Sequence, residues 1–256
     1  MNSDIFLERD GDLATVTLFN PDKLNAINAA MWRRLKQVMD ELSADTALRV
    51  IIVRGDGTNF AAGGDIDEFL TERDNRERAQ RYHGEWVAPA LQAIADCRHP
   101  TVAAIRGNCV GGGLEIAGQC DLRIAGDSAR FGAPIMKLGF SMYPGELAGI
   151  LALVGPATAL EILLEGRLLN AEEAWIKGLV TRVVADAEVT TEALKTARRI
   201  AAGAPLVAQA HKRLIRQMMA AANAVKDDPF WFFESTDYAE GMAAFLAKRA
   251  AEFTGQ

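Results

Sequence analysis

The sequence has few cysteines, and their arrangement argues against two kinds of protein. Only Cys97, Cys109 and Cys120 are present among 256 residues, and no two of them form a CxxC pair. Disulfide-stabilised secreted folds and most structural zinc sites need more closely paired cysteines. We therefore expect reduced core thiols in a cytoplasmic protein, and no metal site.

Features of membrane and nucleic-acid proteins are also scarce. No run of about 18 apolar residues is apparent, so no membrane-spanning helix is predicted. The first ten residues lack the apolar segment of a signal peptide. With 28 basic and 34 acidic residues the formal net charge is −6, which argues against a nucleic-acid partner. A small anionic ligand stays compatible, because local cations and backbone N–H groups can bind one.

Common catalytic motifs are missing as well. There is no GxGxxG dinucleotide turn and no GxxxxGK[ST] phosphate loop. The stretch Gly139–Tyr143 lacks the last glycine of a nucleophile elbow. The three histidines, His83, His99 and His211, are scattered, and we interpret them as surface or packing residues.

What is abundant is apolar sequence: 50% of the residues are hydrophobic. A chain of this length can bury roughly three quarters of its surface, which suffices for a large core. Short apolar runs alternate with amphipathic helical patterns, which is typical of an α/β fold. The charged segment 71–81 is expected to be a solvated loop or the start of a helix. Strands are predicted over 5–8, 13–18, 50–53, 101–105, 122–125 and 179–184. After about residue 190 only helices are predicted, so we divide the chain into a core, 1–192, and a helical oligomerisation region, 193–256.

Two glycine-rich turns follow predicted strands. Residues 59–66 read NFAAGGDI, and residues 106–115 read RGNCVGGGLE and lead into an apolar helix. Glycines at a helix start leave N–H groups and the positive end of the helix dipole free for a negative charge, such as an oxyanion. The alternative is close helix–strand packing without a ligand.

Together these turns resemble the crotonase, or enoyl-CoA hydratase/isomerase, family. The resemblance covers essentially the whole chain and is carried by motifs in the family's order. These motifs are NPDKLNAIN (20–28), FAAGGDI (60–66), GNCVGGGLEIAGQCDLRIA (107–125), FGAP (131–134), GPATALEILLEGRLLNAEEAWIKGLV (155–180) and GMAAFLAKR (241–249).

The resemblance implies a spiral of ββα units, a C-terminal helical trimerisation region, and trimers or hexamers built as dimers of trimers. It also implies an acyl-CoA thioester substrate, with coenzyme A as part of the substrate and no tightly bound cofactor. By resemblance, the N–H groups of Ala62 and Gly112 would form the oxyanion hole. The CoA-binding residues would be Lys23, Leu24, Ala26, Ala61, Gly63, Asp65 and Ile66, with Phe245 and Lys248 reaching CoA from a neighbouring subunit. Alternatively, Lys23 is a solvated turn residue and Phe245 a core aromatic.

One position departs from the family pattern. Hydratases of this family use two glutamates, of which the first matches Glu115, but Ile135 stands where the second is expected. An aliphatic side chain cannot transfer a proton. We propose Glu146 as a substitute partner of Glu115, the alternative being that Glu146 only favours the first turn of its helix. Ile135, Met136, Leu138, Phe140 and Met142 would line the acyl pocket or belong to the core, and Tyr143 is a further candidate for that lining.

The leading hypothesis is therefore an enzyme that hydrates a 2-enoyl-CoA or shifts its double bond. A second hypothesis is another enolate reaction, such as acyl-CoA decarboxylation, which depends on the oxyanion hole more than on paired acids. The non-catalytic hypothesis is a silent acyl-CoA-binding scaffold.

Overall fold

The computed structural model describes residues 3–220 and 231–252. A six-stranded sheet with the order β1-β2-β3-β4-β6-β9 is antiparallel between β1 and β2 and parallel elsewhere. A second sheet, β5-β7-β8, stands beside it. The strands are β1 Asp4–Asp10, β2 Leu13–Phe19, β3 Val50–Gly55, β4 Thr101–Ile105, β5 Asn108–Val110, β6 Leu122–Gly126, β7 Arg130–Gly132, β8 Leu169–Asn170 and β9 Arg182–Val184.

Helices connect and cover these strands. They are α1 Ala29–Ala44, α2 Phe69–Glu72, α3 Arg76–Arg81, α4 Ala88–Asp96, α5 Gly112–Gln119, α6 Pro144–Leu160, α7 Ala171–Ile176, α8 Val189–Ala201, α9 Pro205–Ala220 and α10 Thr236–Leu246. Helix α1 is capped at its N-terminus, where the Asn28 side chain accepts a hydrogen bond from Met31 N–H. The predicted strand over 179–184 is shorter than expected, because only Arg182–Val184 pair with β6.

The central strands are buried on both faces, which explains their uninterrupted apolar sequence. In β3, Ile51 and Val53 belong to the core that includes α1 and α4, whereas Val50 and Ile52 pack with α8 on the other face. The expected division after residue 192 therefore falls inside α8. Because α8 covers one face of the sheet, it belongs with the core.

The longest helical segment revises the expectation about apolar runs. Pro144–Glu165 is long and apolar enough to cross a membrane by length and composition. Its backbone is not straight, however, because Gly155 has φ 69° and ψ 174° and Pro156 follows. Length and composition alone do not make it a membrane helix, and its N-terminal end supplies Glu146 to the cavity described below.

Candidate active site

The two glycine-rich turns lie against each other. A short parallel bridge joins Ala61 to Cys109, and Val110 N–H donates to Ala61 O at 3.0 Å. Gly113 allows this contact, because an ideal Cβ there would lie 2.5 Å from Ala61 O and would force the turns apart. At Gly111 the space is sufficient, but its φ of 48° favours glycine. The packing and the ligand-binding interpretations of these glycines are thus compatible.

The turns line a cavity of about 240 Å³, but the expected pair of oxyanion donors needs a correction. The N–H of Ala62 donates to Leu24 O at 3.1 Å and is therefore occupied. Gly64 lies two residues further along the chain. Its two neighbours make the backbone hydrogen bonds there: Ile27 N–H donates to Gly63 O, and Asp65 N–H donates to Ile27 O. Within the described residues, Gly64 N–H and the first-turn N–H of Gly112 have no backbone acceptor. The geometry offers Gly64 and Gly112 as the donor pair.

Glu115 extends from the first turn of α5 into this cavity. Its residue is 7% exposed, and its carboxyl group has no hydrogen-bond partner among the described residues. Burial, and secondarily the nearby Glu146, raise the pKa of Glu115 well above its ordinary value, while Arg73 acts in the opposite direction. A carboxyl group kept neutral and unpartnered can donate a proton to a ligand.

Glu146 lines the same cavity from the start of α6. Its Oε2 accepts from Tyr143 N–H at 3.1 Å, and its Oε1 lies 2.6 Å from His83 Nδ1. Glu146 therefore fits both interpretations made from the sequence, because it stabilises the first turn of its helix and also faces the cavity. Both of its carboxyl oxygens are therefore engaged by neighbouring groups.

His83 is a cavity residue that sequence reasoning treated as surface or packing. It is 4% exposed and lies in a π-helical turn, Tyr82–Val87, before α4. Its Nε2 is 3.5 Å from Arg73 Nη1. Because a guanidinium only donates, Nε2 must act as the acceptor, which leaves the proton on Nδ1 to donate to Glu146. His99 is also buried, with its Nε2 3.0 Å from Asp45 O, and His211 is exposed.

Arg73 is the second residue that the sequence did not single out for this site. The segment 71–81, predicted as a solvated loop or helix start, does contain α3 but also carries a guanidinium that is 6% exposed and lines the cavity. Phe69 lies against that guanidinium, with 3.4 Å between Cζ and the ring centroid. A charged residue inside a charged run gives no sequence signal of burial.

The apolar lining follows the expectation in part. Ile135, Leu138 and Phe140 line the cavity. Met136 is 51% exposed, because the 3₁₀ turn Pro134–Leu138 directs successive side chains differently. Met142, beyond that turn, belongs to the core. Tyr143 packs beside the cluster around Phe69 and is not part of the lining.

Most predicted CoA-binding residues gather at one rim of the cavity. Backbone hydrogen bonds tie the segment 24–27 to residues 62–65. Lys23 Nζ lies 2.7 Å from Asp65 and 2.6 Å from Asp67, and these hydrogen bonds, that to Asp65 foremost, raise the pKa of Lys23. Leu24 and Ile66 are exposed and Gly63 lines the cavity, whereas Ala26 is largely buried.

Two of the predicted CoA contacts differ from expectation, and a third stays a prediction. Ala61 is fully buried, and its N–H donates to Asn108 O, so it supports the turn and offers no ligand surface. Phe245 lines the cavity of its own chain, whereas the resemblance implied a neighbouring subunit. Lys248, at φ 52° just beyond α10, is exposed and does not line the cavity of its own chain, so its contact with CoA of a neighbouring subunit stays a prediction. In the ranges 3–220 and 231–252, no group of three or more His, Cys, Asp or Glu side chains is arranged to hold a metal ion.

Comparison with known proteins gives the class. The enoyl-CoA hydratase/isomerase family model matches residues 8–256. A probable enoyl-CoA hydratase of Rhizobium meliloti (strain 1021) is 35% identical over 254 residues, covering 97% of this chain and 97% of that protein. The chain belongs to the enoyl-CoA hydratase/isomerase family, which confirms the resemblance inferred from its motifs.

Solved structures show the crotonase fold. An enoyl-CoA hydratase/carnithine racemase from Magnetospirillum magneticum is 47% identical, with a TM-score of 0.83 over 98% of this chain and 96% of that chain. A methylmalonyl-CoA decarboxylase, in complex with 2-nitronate-propionyl-CoA, is 25% identical, with a TM-score of 0.87 and 98% of both chains covered. The mixed α/β core and the C-terminal helices predicted from the sequence are thereby confirmed.

Proposed function

We propose that this protein hydrates a 2-enoyl-CoA thioester or shifts its double bond. The observation that carries the proposal is the convergence on one cavity of two backbone N–H groups, from Gly64 and Gly112, and two carboxyl groups, from Glu115 and Glu146. Donors aimed at a thioester oxygen stabilise the enolate that forms when charge moves onto that oxygen. Each such donor is worth about 3–4 kcal/mol of transition-state stabilisation.

The two carboxyl groups have different environments, which suits them to different roles. For hydration, Glu146 acts as the base and removes a proton from water, whose oxygen then bonds to the β carbon. The electron pair of the double bond moves to the thioester oxygen, held by Gly64 and Gly112. Neutral Glu115 returns a proton to the α carbon. In a double-bond shift the same two groups would remove and return protons on carbon, so Ile135 would not need to be acidic.

Coenzyme A enters this proposal as part of the substrate, with no tightly bound cofactor. The rim of Lys23, Leu24, Gly63, Asp65 and Ile66 is the proposed CoA site, supported by its position beside the donor pair. The pairing of Lys23 with Asp65 and Asp67 means that its charge is already shared before CoA binds.

Replacing Glu115 with Gln tests the mechanism. With crotonyl-CoA, followed by loss of the ultraviolet absorbance of the conjugated thioester, we expect turnover to fall by roughly 10²–10⁴-fold, because the amide cannot transfer the proton. Glu172→Gln, on the exposed face of α7, is the matched control and should retain wild-type turnover. Unchanged turnover by Glu115→Gln would overturn the mechanism, and CoA-thioester binding without any turnover by the wild type would favour a silent scaffold.

Decarboxylation is a second candidate, favoured by the close structural match to the decarboxylase and by the aliphatic Ile135 in the cavity. The two candidates differ in product. Release of CO₂ from a malonyl-type CoA by a protein that leaves crotonyl-CoA unchanged would establish the second.

We also propose a cytoplasmic homotrimer or hexamer without a nucleic-acid or membrane partner. Support for assembly comes from large apolar side chains of α9 that are exposed in the chain: Leu206, Leu214, Ile215 and Met218. A groove of about 950 Å³ beside α4, α6 and α9 adds to this surface. The three cysteines are free and buried, which fits a reducing compartment.

A further inference from the structure

We propose that the acyl group of the substrate carries a carboxylate of its own and that Arg73 binds it. This inference rests on the proposed function, since it specifies the substrate of the same cavity. It starts from an unusual arrangement: among the described residues, the buried Arg73 has no carboxylate within ion-pair distance. A buried charge without a partner costs several kcal/mol in real proteins, so such groups are ordinarily paired.

The unused donors of Arg73 lie on one edge of the guanidinium. Nη1 is the atom that faces His83, at 3.5 Å from Nε2. Nε is buried and has no hydrogen-bond partner, and Nη2 makes no hydrogen bond to a described residue. The Nε and Nη2 hydrogens are parallel, which is the arrangement that binds both oxygens of a carboxylate. Because Nε is closed to solvent, a carboxylate reaches Nη2 first and engages Nε only if the neighbouring side chains shift.

Aromatic contacts hold this group without satisfying its donors. The guanidinium carbon is 3.4 Å from the ring centroid of Phe69, 4.9 Å from that of Tyr82 and 5.3 Å from that of Phe140. The hydroxyl of Tyr238 donates to Arg73 O at 2.6 Å and fixes the backbone. Cation–π contacts compensate part of the desolvation of the charge, but they leave the N–H groups free. The site is therefore preorganised for an anion.

Glu146 is not that anion. One of its oxygens lies against His83 and the other accepts from Tyr143 N–H. Glu115 also faces the cavity, and burial favours its neutral form, which limits its repulsion of a bound carboxylate. The cavity thus retains the guanidinium edge of Arg73 for an anionic ligand to bind.

The position of Arg73 limits the length of the acyl group. An ideal Cβ on Gly64, a proposed oxyanion donor, would lie 3.2 Å from Nη2. A carboxylate on Arg73 must therefore lie within a few bonds of the thioester carbonyl. The cavity of about 240 Å³ also suits a short chain. These limits define the class of substrate as CoA monothioesters of short unsaturated dicarboxylic acids.

A matched pair of substrates tests the proposal. 4-Carboxybut-2-enoyl-CoA and pent-2-enoyl-CoA differ only in the terminal carboxylate or methyl group. We expect the wild type to favour the carboxylate in kcat/KM by about 30-fold or more, the usual effect of a desolvated charge pair. Arg73→Met should lose this preference, measured as the ratio of the two kcat/KM values within the one variant, and Arg73→Lys should retain part of it. Arg78→Met, at a half-buried site in the same segment that is not among the cavity-lining residues, should behave as the wild type.

A binding measurement on the wild type alone covers the case in which Arg73→Met fails to fold. Calorimetry should show the saturated 4-carboxybutanoyl-CoA binding at least about 30-fold more tightly than pentanoyl-CoA. Equal affinity and equal kcat/KM for the two acyl groups would overturn the role of Arg73. Tighter binding of the carboxylated thioester without turnover of either enoyl-CoA would support Arg73 and contradict the proposed function, so the two failures are distinguishable.

Discussion

The close contact of the two glycine turns makes Gly113→Ala a sensitive test of the proposed oxyanion hole. An alanine Cβ there would lie 2.5 Å from Ala61 O and 3.0 Å from Ala61 Cβ. Both neighbours belong to a buried segment, so relief requires the turns to separate by roughly 0.5–1 Å, since interiors are close-packed. Such a displacement moves the N–H of Gly112 relative to that of Gly64. Misplacement of about 1 Å in a catalytic group can cost about 100-fold in rate.

We therefore expect kcat with crotonyl-CoA to fall about 100-fold, and denaturant unfolding to show a loss of about 1–3 kcal/mol from overpacking. Alanine's higher helix propensity, worth up to about 1 kcal/mol, offsets part of that loss. Gly84→Ala is the matched control, because nothing lies within 4 Å of its ideal Cβ; it should retain wild-type kcat and stability within about 1 kcal/mol. A Gly113→Ala protein with unchanged kcat would refute the link between turn spacing and donor position.

Three further predictions address acidity, positioning and assembly. Because burial raises the pKa of Glu115, the folded state loses stability as pH rises from the ordinary carboxyl pKa to the raised one, each pH unit in that window costing about 1.4 kcal/mol. Denaturant unfolding at several pH values should show the free energy of unfolding of Glu115→Gln rising relative to that of the wild type as pH rises. Parallel curves of this free energy against pH for the two proteins would contradict the prediction. His83→Leu should lower kcat about 10-fold or more with KM nearly unchanged, because Glu146 loses a hydrogen-bond donor. His83→Gln should recover part of the lost kcat. Equal losses of kcat in the two variants would show that the donor is irrelevant. Leu214→Glu should reduce the mass measured by sedimentation to that of one chain, and an unchanged mass would exclude this face from the interface.

Local patterns were sufficient for much of the fold. The alternation of short apolar runs and helical periods predicts β2, β3, β4 and α1, because each segment's burial follows from its own residues. The ends of helices and strands were harder to predict from the sequence. Strand β9, for example, begins at Arg182 only because β6 provides pairing partners there. The division after residue 192 was misplaced for a similar reason, since α8 packs on the sheet from Val189 onward.

Only part of the candidate active site could be predicted from the sequence. Motifs placed Gly112 and Glu115 in the cavity, and the missing acid at Ile135 directed attention to Glu146. The sequence could not show which N–H of FAAGGDI is available, because the N–H of Ala62 is occupied by Leu24 O, some forty residues earlier in the chain. Arg73 and His83 were missed because no local pattern distinguishes a buried cation or imidazole from an exposed one.

The wall of the cavity has a consequence for how the protein matures. Lining residues run from Trp32 near one end of the sequence to Phe245 near the other, through Gly64, Gly112 and Glu146. Contacts between such distant segments form late, because closing long loops costs entropy before the contacts form. A nascent chain shorter than about 245 residues therefore lacks part of the wall, however well its sheet has formed. Ligand binding should appear with the last folding step, which makes it a more stringent measure of native structure than secondary-structure content.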